Sequence, residues 1–176
     1  LDAYYKAKKH QVDIPGLEEK VLMAMLQHAL LLFSKAETRD AYQQAGANLL
    51  EAIDYSGNST NEQVYQLRQA AKSELDLLKR CLKSVEEIDR FIDKDPRRAA
   101  EVASKLREFA PAFHLDSELR IQLEEINKSL GLLNVAMLDL RTDNLVGAID
   151  QLQKASISSS QPLATEASQL LGRVRE

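Results

Sequence analysis

The chain has 176 residues with a net charge of −4, 44% hydrophobic and 5% aromatic residues, six Gly, four Pro and no Trp. That length holds one ordinary domain or at most two small ones, and the apolar share is enough for a real core. Low Gly, Pro and Cys exclude collagen-like, disordered and disulfide-scaffold classes, and scarce turn residues argue against a β-sandwich.

Leu, Ala, Gln, Glu, Lys and Arg dominate, the residues that favour helix. Residues 1–16 read as a leader: Leu1 to His10 has short-helix character, and Ile14-Pro15-Gly16 breaks it. The first strong helix is predicted at Leu17–Lys35. Its run Val21 to Phe33 is the most apolar of the chain, and Leu30, Leu31 and Leu32 widen the stripe, so the helix is expected to be central and buried. That run falls well short of the roughly 20 residues that span a membrane.

Thr38 is the predicted N-cap of a second helix through Tyr42, Ala45, Leu49 and Ala52 to Tyr55, with Gly57 as its left-handed terminator. Ser59 with Glu62 has the capping-box spacing for a third helix. Its seam, Val64, Leu67, Ala71, Leu75, Leu78, Leu82, Val85, Ile88 and Ile92, advances by three and four residues. A second capping pattern, Ser84 with Glu87, points to a break or kink near Lys83. Asp95-Pro96 starts a fourth helix with Ala99, Val102, Ala103 and Leu106, which Pro111 stops.

The fifth helix follows Asp116, with Leu119, Leu123, Ile126, Leu130, Leu133, Met137 and Leu140 as its seam and Gly131 inside it as a weak point or close-approach site. Arg141 to Asn144 is a tight polar turn, which forces an antiparallel hairpin with the sixth helix, Leu145 to Ala155. Pro162 begins the last helix. The expected fold is all-α: antiparallel helical hairpins in a bundle or short tetratricopeptide-like solenoid, about seven helices. Residues 17–176 are read as a single helical domain, divided into 17–94 and a tetratricopeptide-like 95–176.

A search for chemistry finds little. His10, His28 and His114 are isolated, and no pair has zinc-site spacing. His28 is expected to be a satisfied core or boundary residue. The pairs Glu18-Glu19, Glu86-Glu87 and Glu124-Glu125 diverge by about 100° on a helix and read as solvated surface. No Gly-rich phosphate loop, nucleophile elbow or Cys-x-x-Cys occurs. Cys81 lies at a core position and is expected to be a small buried hydrophobe. Both halves carry −2, so no basic face points to nucleic acid; Lys6, Lys8, Lys9 and His10, with the pair Arg97 and Arg98, are the local exceptions. No catalytic residue, cofactor or metal ligand is assigned.

Two stretches echo each other: Tyr42-Ala45-Leu49-Ala52 and Leu145-Ala148-Leu152-Ala155 set a small residue three after a large one, as in tetratricopeptide hairpins. Helical arrays of this kind present a groove to another protein. Polar residues beside the small ones, Gln43, Gln44, Asn48, Asn144 and Gln151, are the candidate protein-binding face.

The apolar helix Met25-Leu26-Gln27-His28-Ala29-Leu30-Leu31-Leu32, the helix Ala47-Asn48-Leu49-Leu50-Glu51-Ala52-Ile53-Asp54 and the amphipathic stretch Val64 to Leu78 carry a family resemblance. Together Leu26 to Leu78, about a third of the chain, is similar to the globular part of HemX-like bacterial membrane proteins. The resemblance implies a non-catalytic helical region, periplasmic and anchored by a span outside this chain. The chain starts at Leu1 rather than Met, which reads as an excised or processed fragment.

The expected function is a non-catalytic protein–protein interaction or scaffold module of a larger, envelope-anchored protein, or of a cytoplasmic one if the resemblance fails. Its expected partner is another protein and not nucleic acid, with membrane contact only through flanking segments. Two alternatives remain: a helical-bundle small-molecule binder or enzyme, and a homo-oligomer using the third or fifth helix as a coiled-coil seam.

Overall fold

The computed structural model describes residues 16–175. The leader and the basic cluster Lys6, Lys8, Lys9 and His10 lie outside the described residues. Within them the protein is all-α, with seven helices: α1 Leu17–Ser34, α2 Arg39–Tyr55, α3 Glu62–Phe91, α4 Pro96–Phe109, α5 Ser117–Arg141, α6 Leu145–Ala155 and α7 Gln161–Arg175. No strand occurs among the described residues. The packing divides into two units, one ending at Arg80 and the other starting at Cys81.

Side chains that satisfy orphan backbone donors set most helix starts. Thr38 accepts from the Ala41 amide at 3.3 Å and Asp95 from the Arg98 amide at 3.1 Å, with Pro96 in the first helical turn, as predicted. The α3 start departs from the capping-box expectation. Asn61 Oδ1 accepts from the Gln63 and Val64 amides at 2.9 and 3.2 Å, while Ser59 Oγ takes only the Asn61 amide. A carboxamide nearer the first turn reaches two donors where the serine reaches none of the helix's own. The expected break near Lys83 is also absent. Residues 62–91 form one helix of about 45 Å, since Ser84 has no chain reversal before it to cap.

The first unit packs α1 against α2 and closes both with the start of α3. Leu26 and Ala29, then Leu49, Ala52 and Ile53, then Val64, Ala71 and Leu75 form one apolar cluster. Phe33 meets Tyr42 edge-on, with ring centroids 6.0 Å apart. Here α1 departs from the central, buried helix expected of it: only Leu26 and Ala29 are fully buried, and Leu31, Leu32 and His28 are exposed. Three consecutive leucines spread over about 200° of a helix, and the neighbours occupy only one side of it. Gly57 does not adopt the left-handed conformation proposed for it. Among described residues, positive φ belongs to Gly16 (+71°), before α1, and Asp143 (+56°), in the α5–α6 turn.

The second unit is built around α5, which packs against α4, α6 and α7, while α6 also packs on α7. Its core runs through Cys81, Val85 and Ile88, then Ala99, Ala103 and Leu106, Leu119, Leu123, Ile126 and Leu133, Ala148 and Leu152, and Leu163 and Ala167. Cys81 is buried, as expected. Across the α3–α4 connection the Arg98 guanidinium lies 4.1 Å over the Phe91 ring and 3.0 Å from Glu87.

The α5 seam follows prediction at Leu119, Leu123, Ile126 and Leu133, but Ser129 and Ala136 take the places expected of Leu130 and Met137. Ser129, Leu133 and Ala136 are buried, Leu130 is half-buried and Met137 is exposed. Small residues let the neighbouring helices approach, and the one polar member is satisfied. Ser129 Oγ donates to the Glu125 carbonyl at 3.0 Å, so the Ser158 hydroxyl, 2.7 Å away, donates to it. Leu145, read as part of the α6 stripe, is exposed at the hairpin end; Ala148, Leu152 and Ala155 carry the contact.

Gly131 is neither strained nor crowded, since a Cβ there meets nothing within 4 Å. It is therefore a weak point of α5 and not a close approach. Gly131→Ala is expected to stabilise the protein by about 0.5–1 kcal/mol through the helix propensity gained, read from the urea unfolding midpoint.

Candidate functional site

In the first unit, α1 and α2 leave a groove of about 330 Å³ on their outer side. From α1 it is lined by Val21, Ala24, Met25, His28 and Ala29, positions three, four and seven apart that form a single stripe. From α2 come Asn48, Glu51 and Ala52. The depression exists because three of these residues are alanines: with only methyl groups at 24, 29 and 52, the ridges beside them stand proud.

The two walls differ in chemistry. The α1 wall is apolar, interrupted by the imidazole of His28. The α2 wall presents acceptors. Asn48 Nδ2 donates one of its two N–H groups to the Gln44 carbonyl at 2.9 Å, and Oδ1 is left to accept. Glu51, one turn on, is exposed and forms no ion pair among the described residues. Leu31 and Leu32 continue the apolar wall along α1, and Tyr55 ends α2 with its ring half in solvent.

The five candidate residues separate between the two units. Gln43 and Gln44 are exposed on α2, and Asn48 is half-buried in the groove. Asn144 sits at the N-cap of α6: its Oδ1 accepts from the Gly147 amide at 3.2 Å and its Nδ2 donates to Asp139 Oδ1 at 3.0 Å. Gln151 is half-buried on α6. Of the five, only Asn48 lines the groove. The α1 wall went unread because a wholly buried helix has no surface to offer; Ala24 and His28, which interrupt the apolar run, were the signal.

No family model, curated protein or solved structure matches the chain. The site therefore rests on its own geometry.

A larger but polar concavity in the second unit is lined by Ser84, Glu87, Arg97, Arg98 and Lys105, among others. Its arginines are engaged: Arg97 pairs with Glu166 at 2.8 Å and Arg98 with Glu87 at 3.0 Å. No group of three His, Cys, Asp or Glu among the described residues is placed to hold a metal ion. No helix among them is long and apolar enough to cross a membrane.

Proposed function

We propose that this chain is a non-catalytic protein-interaction or scaffold module, and that its helical hairpins act as tetratricopeptide-like units do, by offering a face between paired helices. The observation that carries the reading is the α1–α2 groove, an apolar depression open along one side of a hairpin. Such depressions take the apolar face of a partner segment. Large apolar side chains left in solvent support it, in the first unit Leu31, Leu32, Leu50 and Tyr55, in the second Leu138, Leu145 and Val146. Exposed apolar side chains in such numbers mark contact surfaces when they cluster. The all-helical architecture with a small residue three after a large one fits the same use: Tyr42, Ala45, Leu49 and Ala52 are all buried. In keeping with the HemX-like resemblance, the proposed setting is a larger, envelope-anchored protein.

The test is site-specific photocrosslinking in cells at native abundance. A photoreactive residue at Leu32, Tyr55, Leu138 or Val146 is expected to trap a protein adduct from at least one position. Absence of adducts at all four, with a small organic molecule retained by the purified chain in native mass spectrometry, overturns the reading.

A further inference from the structure

Resting on that interaction reading, we infer that the α1–α2 groove docks an α-helical segment of another protein, one with an apolar stripe flanked by lysine or arginine. Three features specify that occupant. The first is length. At about 1.5 Å per residue, the apolar wall of α1 runs about 16 Å from Val21 to Leu32, or about three helical turns. A helix laid along it places apolar residues at positions three, four and seven apart against Val21, Met25 and the Ala24 gap.

The second is charge. α2 carries Asp40, Glu51 and Asp54 against the single cation Arg39. Within the groove the acceptors Asn48 Oδ1 and Glu51 are spaced one turn apart, with no lysine or arginine beside them. A lysine or arginine flanking the partner's apolar stripe meets that pair, and an acidic flank is repelled. His28 stands on the opposite wall, where the partner's stripe and not its cationic flank would lie.

The third is what the same charge disfavours. Two copies of this chain meeting groove to groove about a twofold axis through the groove would set Glu51 against the other copy's α1 wall, whose lining has no lysine or arginine to meet it. An anionic lipid surface would meet Glu51 and Asp54 with like charge. A helical partner with a basic flank is the occupant that supplies Glu51 with a cation.

The experiment is selection from a displayed library of helical peptides long enough to cover that wall. Leucines are fixed at one helical stripe, and the flanks are randomised among Ala, Gln, Glu, Lys and Arg. The full chain is the bait and Ala24→Arg the counter-selection. Ala24 is exposed and arginine favours helix, so this variant fills the groove without disturbing the core; a circular-dichroism melt unchanged from the native chain verifies that. Selected peptides are expected to carry an excess of Lys and Arg over Glu. They are expected to bind the native chain at least tenfold more tightly than Ala24→Arg, and to weaken as salt rises. Glu51→Lys is expected to reverse the preference toward Glu-flanked peptides. The inference is overturned by flanks that are neutral or acidic, by binding that ignores Ala24→Arg, or by recovery of no peptide at all. Concentration-dependent dimerisation that Ala24→Arg abolishes also overturns it, in favour of a second copy. Photocrosslinks confined to Leu138 or Val146 would leave the interaction reading standing while removing this site from it.

Discussion

Leu152→Ala is expected to lower the stability of the second unit by about 2–5 kcal/mol, among the largest effects of any single substitution here. Leu152 is fully buried at the middle of α6, and α6 packs on both α5 and α7. Truncation removes the transfer free energy of the isobutyl carbons beyond Cβ and leaves a cavity that fixed helices on two sides cannot collapse into. The neighbours offer no compensation. Ala148 and Ala155, a turn on either side, are themselves small and fully buried, so neither can extend into the hole. Val146, on the same helix, is 81% exposed and supplies the control. Val146→Ala is expected to move stability by less than about 0.5 kcal/mol. Urea unfolding followed by circular dichroism reads both. Equal midpoints for the two variants would mean that α6 is not packed as described.

The contrast between those two positions also shows what periodicity can and cannot specify. Helix existence was legible almost throughout, because apolar steps of three and four residues coincide with independent stop and start chemistry at Thr38, Asp95-Pro96 and Pro111. The rotation of each helix about its axis was less so. In α5 both Leu130 and Ser129 satisfy a helical repeat, and hydropathy favours the leucine. The structure buries the serine because its hydroxyl finds the Glu125 carbonyl and Ser158, and because a small side chain permits close approach. Leu30, Leu31 and Leu32 pose the same ambiguity in α1, where every rotation buries a leucine. The cap of α3 was misplaced for a local reason: Ser59 and Asn61 are both good N-caps two residues apart, and only geometry decides between them.

The candidate site was legible on one wall only. Polar residues beside small ones on α2 drew attention to Gln44 and Asn48, and Asn48 does line the groove. Asn144, chosen by the same rule, serves the α6 cap, where asparagine is favoured for reasons of backbone chemistry alone. The facing wall was hidden by its own hydrophobicity. A groove floored by alanines also has no compositional signature, since alanine serves both tight helix contacts and exposed helix surface.

Arg68→Ala is expected to destabilise the first unit by about 2–3 kcal/mol, because two charge-assisted hydrogen bonds are lost together. This holds although Arg68 is only half-buried and lies outside the apolar cluster. Its Nη1 donates to the Ser56 carbonyl at 2.6 Å and the Gly57 carbonyl at 2.7 Å, so one guanidinium on α3 closes the C-terminal end of α2. A helix leaves its last carbonyls without intrahelical donors, and a cation there also meets the negative end of the helix dipole. Ser56 is fully buried and its carbonyl keeps the Ser59 amide at 3.1 Å, so loss of the arginine removes its charged donor without leaving it bare; Gly57, which is exposed, recovers a water and contributes less. The Tyr65 ring, 5.4 Å from the guanidinium carbon, adds a further contact. A cation–π pair at so exposed a ring is the smaller contribution. Arg68→Lys is expected to recover part of the loss, because an ammonium keeps the charge without the guanidinium's geometry. Hydrogen exchange separates this account from a general loss of packing. Amides in the last turn of α2 and the first turns of α3 are expected to lose protection first in Arg68→Ala, ahead of those in α5 and α6. Uniform loss of protection across both units would show instead that Arg68 acts through the whole chain and not through the α2–α3 junction.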